Sequence, residues 1–269
     1  MPNNPSAPTI REVSDYLRAI YPLRLAETWD NVGLLVGNDL APAARIMTCL
    51  TVTPESADEA IEEQVQLIVS HHPLPFHSFK RLTTELTPTR LLWQLAQAGI
   101  AIYSPHTAFD SAAEGINQLA LERLNCAGVR PLLLKPGDPE GLGAGRAGDL
   151  PSPTSVSEFA ARVKTIYDIP SAQLVGQPDR IITRCGSACG SGGSFVGAAA
   201  DAGCDALLTG EASFHDCLEA RARNIALILV GHYASERFGV EQMAERIAEQ
   251  FPSAQVWPSR RESDPLQIV

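Results

Sequence analysis

The sequence predicts an α/β protein made of two αβ lobes, with mixed, largely parallel sheets flanked by helices. Short apolar runs typical of buried strands alternate with amphipathic segments typical of helices along most of the chain. The length of 269 residues corresponds to two domains, since one domain takes ~150 residues. Apolar residues make up 45% of the chain and charged residues 19%, so the protein can bury a sizeable core.

The first part of the chain is predicted to begin with a helix and to continue as strand and helix units. Apolar side chains recur at helical spacing at Ile10, Val13, Leu17 and Ile20. Thr53 followed by Pro54 marks a second helix start, because proline suits the first helical position. Strands are predicted at 45–52, 66–70 and 100–104, and helices at 54–64, 87–99 and 112–124.

The stretch 137–153 is rich in Gly and Pro, which leaves little room for periodic structure and predicts a linker or domain edge. We expect one lobe to comprise 1–128 with 225–269 and to bear the metal ligands, and the other to comprise 129–224. Beyond the linker, strands are predicted at 181–183, 205–210 and 225–230, and helices at 155–167, 194–203, 213–224 and 234–250.

Charge and targeting signals argue against several classes of protein. The 21 basic and 31 acidic residues give a formal charge of -10, which opposes general nucleic-acid binding. The first ten residues lack the basic and apolar parts of a secretory signal, and the longest aliphatic run, 225–230, is too short to span a bilayer. We therefore expect a cytoplasmic protein with no membrane partner.

The six cysteines are scattered and form no C-x-x-C pair. Neither a disulfide framework nor a zinc knuckle is therefore indicated. Cys185 and Cys189 lie four residues apart, and we interpret them as small buried residues rather than as a thiolate metal site.

Polar side chains that can bind metals follow three of the predicted strands. They are His71 with His72, His106 with Asp110, and His232 with Glu236. Ligands of parallel α/β sheets collect outside the carboxyl ends of strands, so these three ends are expected to converge. Taken singly, His71 with His72 also fits a capped turn. His232 and Glu236, four residues apart on one helix face, also fit a pair of surface side chains without a ligand.

Together these imidazoles and carboxylates suit a borderline divalent metal such as zinc, manganese, iron, cobalt or nickel. Pro73 favours an extended backbone at His72, where neighbouring side chains diverge, so the two adjacent histidines are expected to bind different ions. The candidate ligands are His71, His72, Asp110, His232 and Glu236. Five ligands are too many for one open catalytic zinc but suit two ions ~3.5–4 Å apart, with Glu236 as the bridge.

Further residues near the strand ends are candidates for supporting roles. His106 is expected to orient Asp110 or contact a substrate, although a hydrogen bond within its turn explains it equally well. Glu211 and His215 begin the helix after strand 205–210, where a pocket-wall role is favoured over a third metal. His106 and His215 are the candidates for proton transfer, because imidazole accepts and donates protons near neutral pH.

Three loops allow both a ligand-binding and a structural interpretation. The glycine loop 186–194 precedes a helix and suits a phosphate, but it lacks the P-loop pattern and fits a tight turn equally well. His77 and the basic pair 80–81 suit an anion or a solvated basic patch. Trp29 is expected in the core, with the polar residues 30–31 bracing the turn that follows.

The chain also resembles the NIF3-like family, whose members are called GTP cyclohydrolase 1 type 2 homologues. The resemblance runs from about Glu27 to the end of the chain, and the order of its HHP and GH-x3-E segments makes it specific. The four segments that carry it are ETWDNVGLLVG at 27–37, VSHHPLPF at 69–76, YSPHTAFDSAAEGIN at 103–117, and LLTGEASFHD with LVGHYASERFG within 207–239.

Membership of this family implies a two-lobed α/β subunit, a dinuclear metal centre and a ring-like homohexamer. The resemblance places one ion on His72 and Asp110 and the other on His71 and His232, with Glu236 shared. Longer relatives carry an extra domain in the middle of the sequence that this chain lacks.

The ligand set and the resemblance favour a metal-dependent hydrolase that acts on a small, nucleotide-like molecule. GTP is the named candidate, by hydrolytic opening of its imidazole ring, although two metals can also promote cleavage of a phosphoester or an amide. A metal-binding regulator, a metal-delivery protein and an oligomeric interaction scaffold are the alternatives.

Overall fold

The computed structural model describes residues 6–268 and has the predicted α/β class with mixed sheets. The chain divides into two compact units: unit 1 is Met1–Phe109 with Arg237–Val269, and unit 2 is Asp110–Glu236. The expected boundaries lay after residues 128 and 224, whereas the structure places them after residues 109 and 236. The reason is that the helix at 116–123 packs on the sheet of unit 2 and the strand at 226–229 pairs within it. Residues 1–5 lie outside the described residues. They belong to the first ten residues, in which no secretory signal is expected.

The sheet of unit 1 has five strands in the order β1-β4-β3-β2-β13, numbered in chain order over both units. Four of them are parallel, and β1 pairs antiparallel with β4 at one edge. Because the central strands are buried, they read as continuous apolar runs rather than alternating ones. The strands are β1 (Gly33–Val36), β2 (Arg45–Cys49), β3 (Leu67–Ser70), β4 (Ala101–Ser104) and β13 (Gln255–Pro258).

Two helices of unit 1 begin where the sequence supplies a capping box. Thr9 accepts a hydrogen bond from the backbone of Glu12, whose carboxylate bonds back to Thr9, and Thr53 with Ser56 repeats this capping box. The helices are α1 (Ile10–Ile20), α2 (Pro54–Glu62) and α3 (Thr87–Gln97), with a 3-10 turn at Leu23–Leu25. Two further helices, α4 (His106–Ser111) and α9 (His232–Gln250), contain the points where the chain passes between units.

Glu59 on α2 anchors the segment that follows the edge strand β13. The sequence analysis did not predict this strand. Its carboxylate accepts hydrogen bonds from Trp257 Nε1 (3.2 Å), Ser259 Oγ (2.7 Å) and the backbone N–H groups of Arg260 and Arg261 (3.0 and 3.1 Å). Burial raises the pKa of Glu59, but these hydrogen bonds outweigh burial and the pKa lies below its usual value. The buried charge is therefore fully partnered and ties α2 to the C-terminal segment.

The sheet of unit 2 has six strands in the order β5-β8-β10-β11-β12-β9, of which β10, β11 and β12 are parallel. The outer strands are antiparallel, so this sheet is more mixed than that of unit 1. The strands are β5 (Ala127–Arg130), β8 (Arg146–Ser155), β9 (Gln173–Val175), β10 (Ile181–Ala188), β11 (Ala206–Thr209) and β12 (Ala226–Leu229). The helices are α5 (Ile116–Arg123), α6 (Val156–Tyr167), α7 (Val196–Asp201) and α8 (Phe214–Ala222), and β6 (Leu133–Leu134) pairs with β7 (Gly143–Ala144).

The prediction of a linker at 137–153 is wrong, because its second half, 146–153, belongs to strand β8 in the interior of the sheet. Pro151 and Pro153 suggested irregular structure. In β8 both lie between Asp149 and Thr154, where the register with β10 shifts, so neither proline has to donate a ladder hydrogen bond. β10 likewise extends to Ala188, so part of the predicted glycine loop is strand.

All six cysteines are free thiols, and Cys185 is fully buried in the core of unit 2. Burial raises the pKa of its thiol well above the usual value, which keeps it protonated. This agrees with its interpretation as a small buried residue. No helix within residues 6–268 combines the length and the apolar character needed to cross a membrane.

Candidate metal centre

His71 and His72 directly follow β3 in unit 1, and backbone hydrogen bonds to the end of β2 hold both of them. The His71 N–H donates to Cys49 O (2.9 Å) and the His72 N–H donates to Leu50 O (2.8 Å). The His71 carbonyl also accepts a hydrogen bond from buried Ser104 Oγ at 2.6 Å. The two imidazole centroids are 5.0 Å apart, with their planes inclined at 52°.

The turn beside His72 is fixed by a buried carboxylate from the C-terminal segment. Glu262 accepts hydrogen bonds from the backbone N–H groups of Leu50 (2.8 Å) and Thr51 (2.6 Å), and from Arg237 Nη1 (2.8 Å). Thr51 Oγ1 in turn lies 2.7 Å from His72 Nδ1. The hydroxyl thereby orients the ring and leaves Nε2 as the nitrogen suited to a metal. Sequence patterns do not predict the contact between Glu262 and Thr51, because the two residues are more than 200 positions apart.

His106 is oriented by Asp30, which the sequence had assigned only to bracing a turn. His106 Nδ1 lies 2.7 Å from Asp30 Oδ1, and the other carboxylate oxygen accepts hydrogen bonds from the backbone N–H (3.1 Å) and hydroxyl of Thr107. Burial raises the pKa of Asp30, but the hydrogen bonds from His106 and Thr107 outweigh it and lower the pKa. These contacts also hold His106 at a φ of 31°, which L residues rarely adopt.

Three imidazoles of unit 1 can offer nitrogen atoms to one ion. His71, His72 and His106 each have a ring nitrogen within 4.8 Å of those of the other two. His71 and His106 are buried and His72 is half-buried. Imidazole nitrogens at this spacing fit zinc and the other borderline divalent metals, which prefer such donors. The structure thus brings together three residues that the sequence singled out, although His106 was expected to transfer protons.

Trp29, the residue before Asp30, does not lie in the environment that was predicted for it. Trp29 is 61% exposed, so its placement in the core is wrong. Hydrophobicity alone suggested burial, whereas the bonds of the neighbouring Asp30 and Asn31 hold Trp29 at the surface. Asn31 Nδ2 donates to Pro75 O at 2.7 Å and so ties this turn to the loop after His72. The role expected of residues 30–31 in bracing the turn that follows them stays a prediction.

In unit 2, His232 and Glu236 lie one turn apart at the start of α9. His232 Nε2 is 3.0 Å from Glu236 Oε2, and His232 Nδ1 is 3.4 Å from Glu211 Oε2. The hydrogen bond with Glu236 is the largest effect on the pKa of His232. With a smaller contribution from Glu211, and against the opposing effect of burial, it raises this pKa to about 9. Glu211 therefore contacts and orients His232. Its expected place in a pocket wall stays a prediction.

Two glycines lie against this pair and leave no room for a side chain. A Cβ on Gly190, whose φ is 63°, would lie 2.3 Å from Glu236 Oε1 and 3.3 Å from His232 Nε2. A Cβ on Gly210 would lie 2.6 Å from Ser235 Oγ. That hydroxyl accepts a hydrogen bond from the Gly190 N–H at 2.9 Å. The glycine loop of the sequence thus brings backbone close to two candidate ligands.

Asp110 follows His106 by four residues in α4, at the first residue of unit 2. Its carbonyl accepts a hydrogen bond from buried Asn117 Nδ2 (3.2 Å), whose Oδ1 accepts from the Cys189 N–H (2.9 Å). Burial, followed by the charges of Glu236 and Asp110, raises the pKa of the Cys189 thiol well above its usual value. This residue therefore stays protonated and is a poor metal ligand.

The other candidates lie on exposed surfaces. His215 on α8 is exposed, with its ring edge-on to that of Phe214 at 5.8 Å, and its role in proton transfer stays a prediction. His77, Lys80 and Arg81 are exposed in the loop after His72. Their interpretation as an anion site or a solvated patch also stays open.

The chain matches known proteins over almost its full length. Residues 8–265 match the family model described as Duf34/NIF3 (NGG1p interacting factor 3). The NIF3 homolog of Schizosaccharomyces pombe is 34% identical, over 94% of this chain and 95% of its own. A GTP cyclohydrolase 1 type 2 homolog of Clostridium acetobutylicum is 30% identical, over 88% of this chain and 89% of its own.

The fold has a solved counterpart. A Bacillus cereus protein related to NIF3 superimposes with a TM-score of 0.88 over 98% of this chain and 100% of its own, at 21% identity. The full-length match to the family model and the sequence identity agree with the resemblance that the four segments predict. The chain belongs to the Duf34/NIF3 family.

Proposed function

We propose that the protein is a dinuclear metal-dependent hydrolase acting on a small nucleotide-like substrate. The observation that carries the proposal is that two proposed ligands, His71 and His72, lie with the proposed proton carrier His106 in one group. Their ring nitrogens are within 4.8 Å of one another, and Asp30 orients the ring of His106. The proposed protein ligands of the two divalent ions are His71, His72, Asp110, His232 and Glu236, with Glu236 shared.

The donor chemistry of these residues fits the proposed ions. Neutral imidazole and carboxylate are the donors that zinc, manganese, iron, cobalt and nickel accept, and thiolates are not required. The contacts Thr51–His72 and Glu211–His232 supply the orienting partners that metal-ligating histidines need. When bound, such ions supply Lewis-acid activation of water and stabilise the charge that develops during attack.

His106 is the residue that we assign to proton transfer. The lowered pKa of Asp30 keeps its carboxylate ionised, so it can only accept a hydrogen bond, and His106 must carry its proton on Nδ1. Nε2 is then the nitrogen that takes a proton from water and returns it to the leaving group. If His106 instead binds an ion through Nε2, Asp30 serves to orient a metal ligand.

GTP is the candidate substrate, since curated relatives carry the name GTP cyclohydrolase 1 type 2 homolog. The reaction would add water at C8 of the guanine ring, open the imidazole ring and release formate in a second hydrolysis. A phosphoester or an amide is an alternative substrate for the same residues. We further propose a homohexamer in the cytoplasm, a prediction based on the family resemblance and on the sequence.

The test is turnover by protein purified without chelator. Elemental analysis gives its metal content, and incubation with GTP, phosphoesters and amides is followed by release of formate, phosphate and amine. We expect formate from GTP, loss of turnover in Asp110→Ala, and wild-type turnover in Asp201→Ala, a matched surface control at an exposed aspartate. Absence of turnover with every metal and substrate would instead favour a metal-binding regulator, a metal-delivery protein or an interaction scaffold.

A further inference from the structure

Two solvent-exposed aromatic side chains lie beside the imidazole group of unit 1. Trp29 is 61% exposed and Phe76 is 42% exposed. Their ring centroids are 6.0 Å apart, and the centroid of His106 is 6.0 Å from that of Trp29 and 5.8 Å from that of Phe76. Single exposed aromatic rings are common at protein surfaces, whereas two adjacent exposed rings beside a group of candidate ligands indicate a binding surface.

Hydrogen bonds hold the two loops that carry these rings. Asn31 Nδ2 donates to Pro75 O (2.7 Å), which joins the residue after Asp30 to the residue before Phe76. Thr107 Oγ1 accepts from the Glu27 N–H (3.0 Å), and Asp30 accepts from Thr107 and His106. The exposed rings are therefore presented in a fixed position, which lowers the entropy cost of binding a rigid partner.

We propose that Trp29 and Phe76 form a stacking platform for the planar heteroaromatic ring of the substrate, a purine base, with the edge of the base directed to His106. The inference rests on the proposed function and names the part of the substrate that this surface recognises. Stacking on a π face requires no cationic side chain, so it suits a protein whose net charge is -10.

The experiment measures binding of nucleotides to the full-length protein as purified, by equilibrium dialysis at low temperature. The probes are GTP, guanosine monophosphate and inorganic tripolyphosphate, which lacks the base. Trp29→Ala is expected to weaken binding of both nucleotides by about tenfold or more, the range of a lost base-aromatic stack. It should leave tripolyphosphate binding unchanged, and Trp29→Phe should retain most of the nucleotide affinity.

Trp93→Ala is the matched control, because Trp93 is also exposed, at 42%, but lies on α3. It should bind all three probes as the wild type does. Equal losses for nucleotides and tripolyphosphate in Trp29→Ala would overturn the proposal, as would no saturable binding of guanosine monophosphate by the wild type at millimolar concentration. A changed oligomer mass in Trp29→Ala with unchanged nucleotide affinity would assign the platform to a second copy of the chain. Binding without turnover would refute the hydrolase proposal and leave the platform standing.

Discussion

Gly190→Ala is predicted to disrupt metal binding through one methyl group. The added Cβ would lie 2.3 Å from Glu236 Oε1, about 1 Å closer than an ordinary carbon–oxygen van der Waals contact. It would also lie 3.3 Å from His232 Nε2. Because Gly190 is tied to Ser235 and Glu211 through its N–H and carbonyl, the carboxylate rather than the loop is expected to move.

Two costs follow from this geometry and can be separated. The φ of 63° places Gly190 in the left-handed region, where alanine costs ~1–2 kcal/mol of stability. Displacing the Glu236 carboxylate removes a candidate ligand from its position, and loss of a group that merely orients a ligand already costs roughly 10- to 100-fold in metal affinity. We therefore expect at least this loss in metal affinity, together with a modest loss of stability.

Gly203→Ala isolates the backbone cost. Gly203 has a similar φ of 71° in the same unit, and nothing lies within 4 Å of its added Cβ. Both variants should unfold at lower urea concentration by similar amounts, while only Gly190→Ala loses metal in calorimetric titration and elemental analysis. Wild-type metal affinity in Gly190→Ala, or equal metal loss in both variants, would refute the reasoning.

Three further predictions concern single contacts. Thr51→Val should weaken metal binding about tenfold by calorimetry because it removes the hydroxyl that orients His72, whereas Thr51→Ser should bind normally; equal affinities in the two variants would contradict this role. Glu59→Gln should lower the free energy of unfolding in urea by about 2–4 kcal/mol, against less than about 0.5 kcal/mol for exposed Glu62→Gln. Because the folded pKa of Glu59 is lowered, its stabilisation is present above the reference value of 4.5 and is lost as pH falls through the folded pKa. Metal must displace the proton of His232, whose pKa is raised to about 9. Metal affinity should therefore rise with pH up to about that value, and titration in buffers of different ionisation enthalpy measures the protons released. A pH-independent affinity from 6 to 9 would exclude this competition.

The sequence predicted those parts of the fold whose signals are local. The start of α2 follows from Thr53 and Pro54, and the central strands of unit 1 follow from buried apolar runs. β8 was missed because its prolines are tolerated only through a register shift against β10, which is a tertiary property. β13 was missed since its pairing partner β2 lies some 200 residues earlier.

The candidate site divides in the same way. The strand-end rule identified His71, His72 and His106, and the structure brings their nitrogens together. Asp30 orients His106 and Thr51 orients His72, but the sequence analysis did not assign these roles. Each contact joins segments that are distant in sequence, and Asp and Thr are so common in turns that neither residue stands out. The exposure of Trp29 could not be inferred either, since composition does not distinguish a binding surface from a core.

Unit 1 is discontinuous in sequence, and this bears on how the protein is made. A ribosome emits all of Asp110–Glu236 before it emits β13 and Glu262, so unit 2 can fold on the nascent chain while unit 1 still lacks an edge strand. Until Glu262 emerges, the N–H groups of Leu50 and Thr51 lack the carboxylate that fixes them beside His72. The turn that orients His72 therefore reaches its final geometry only after residue 262 has been synthesised.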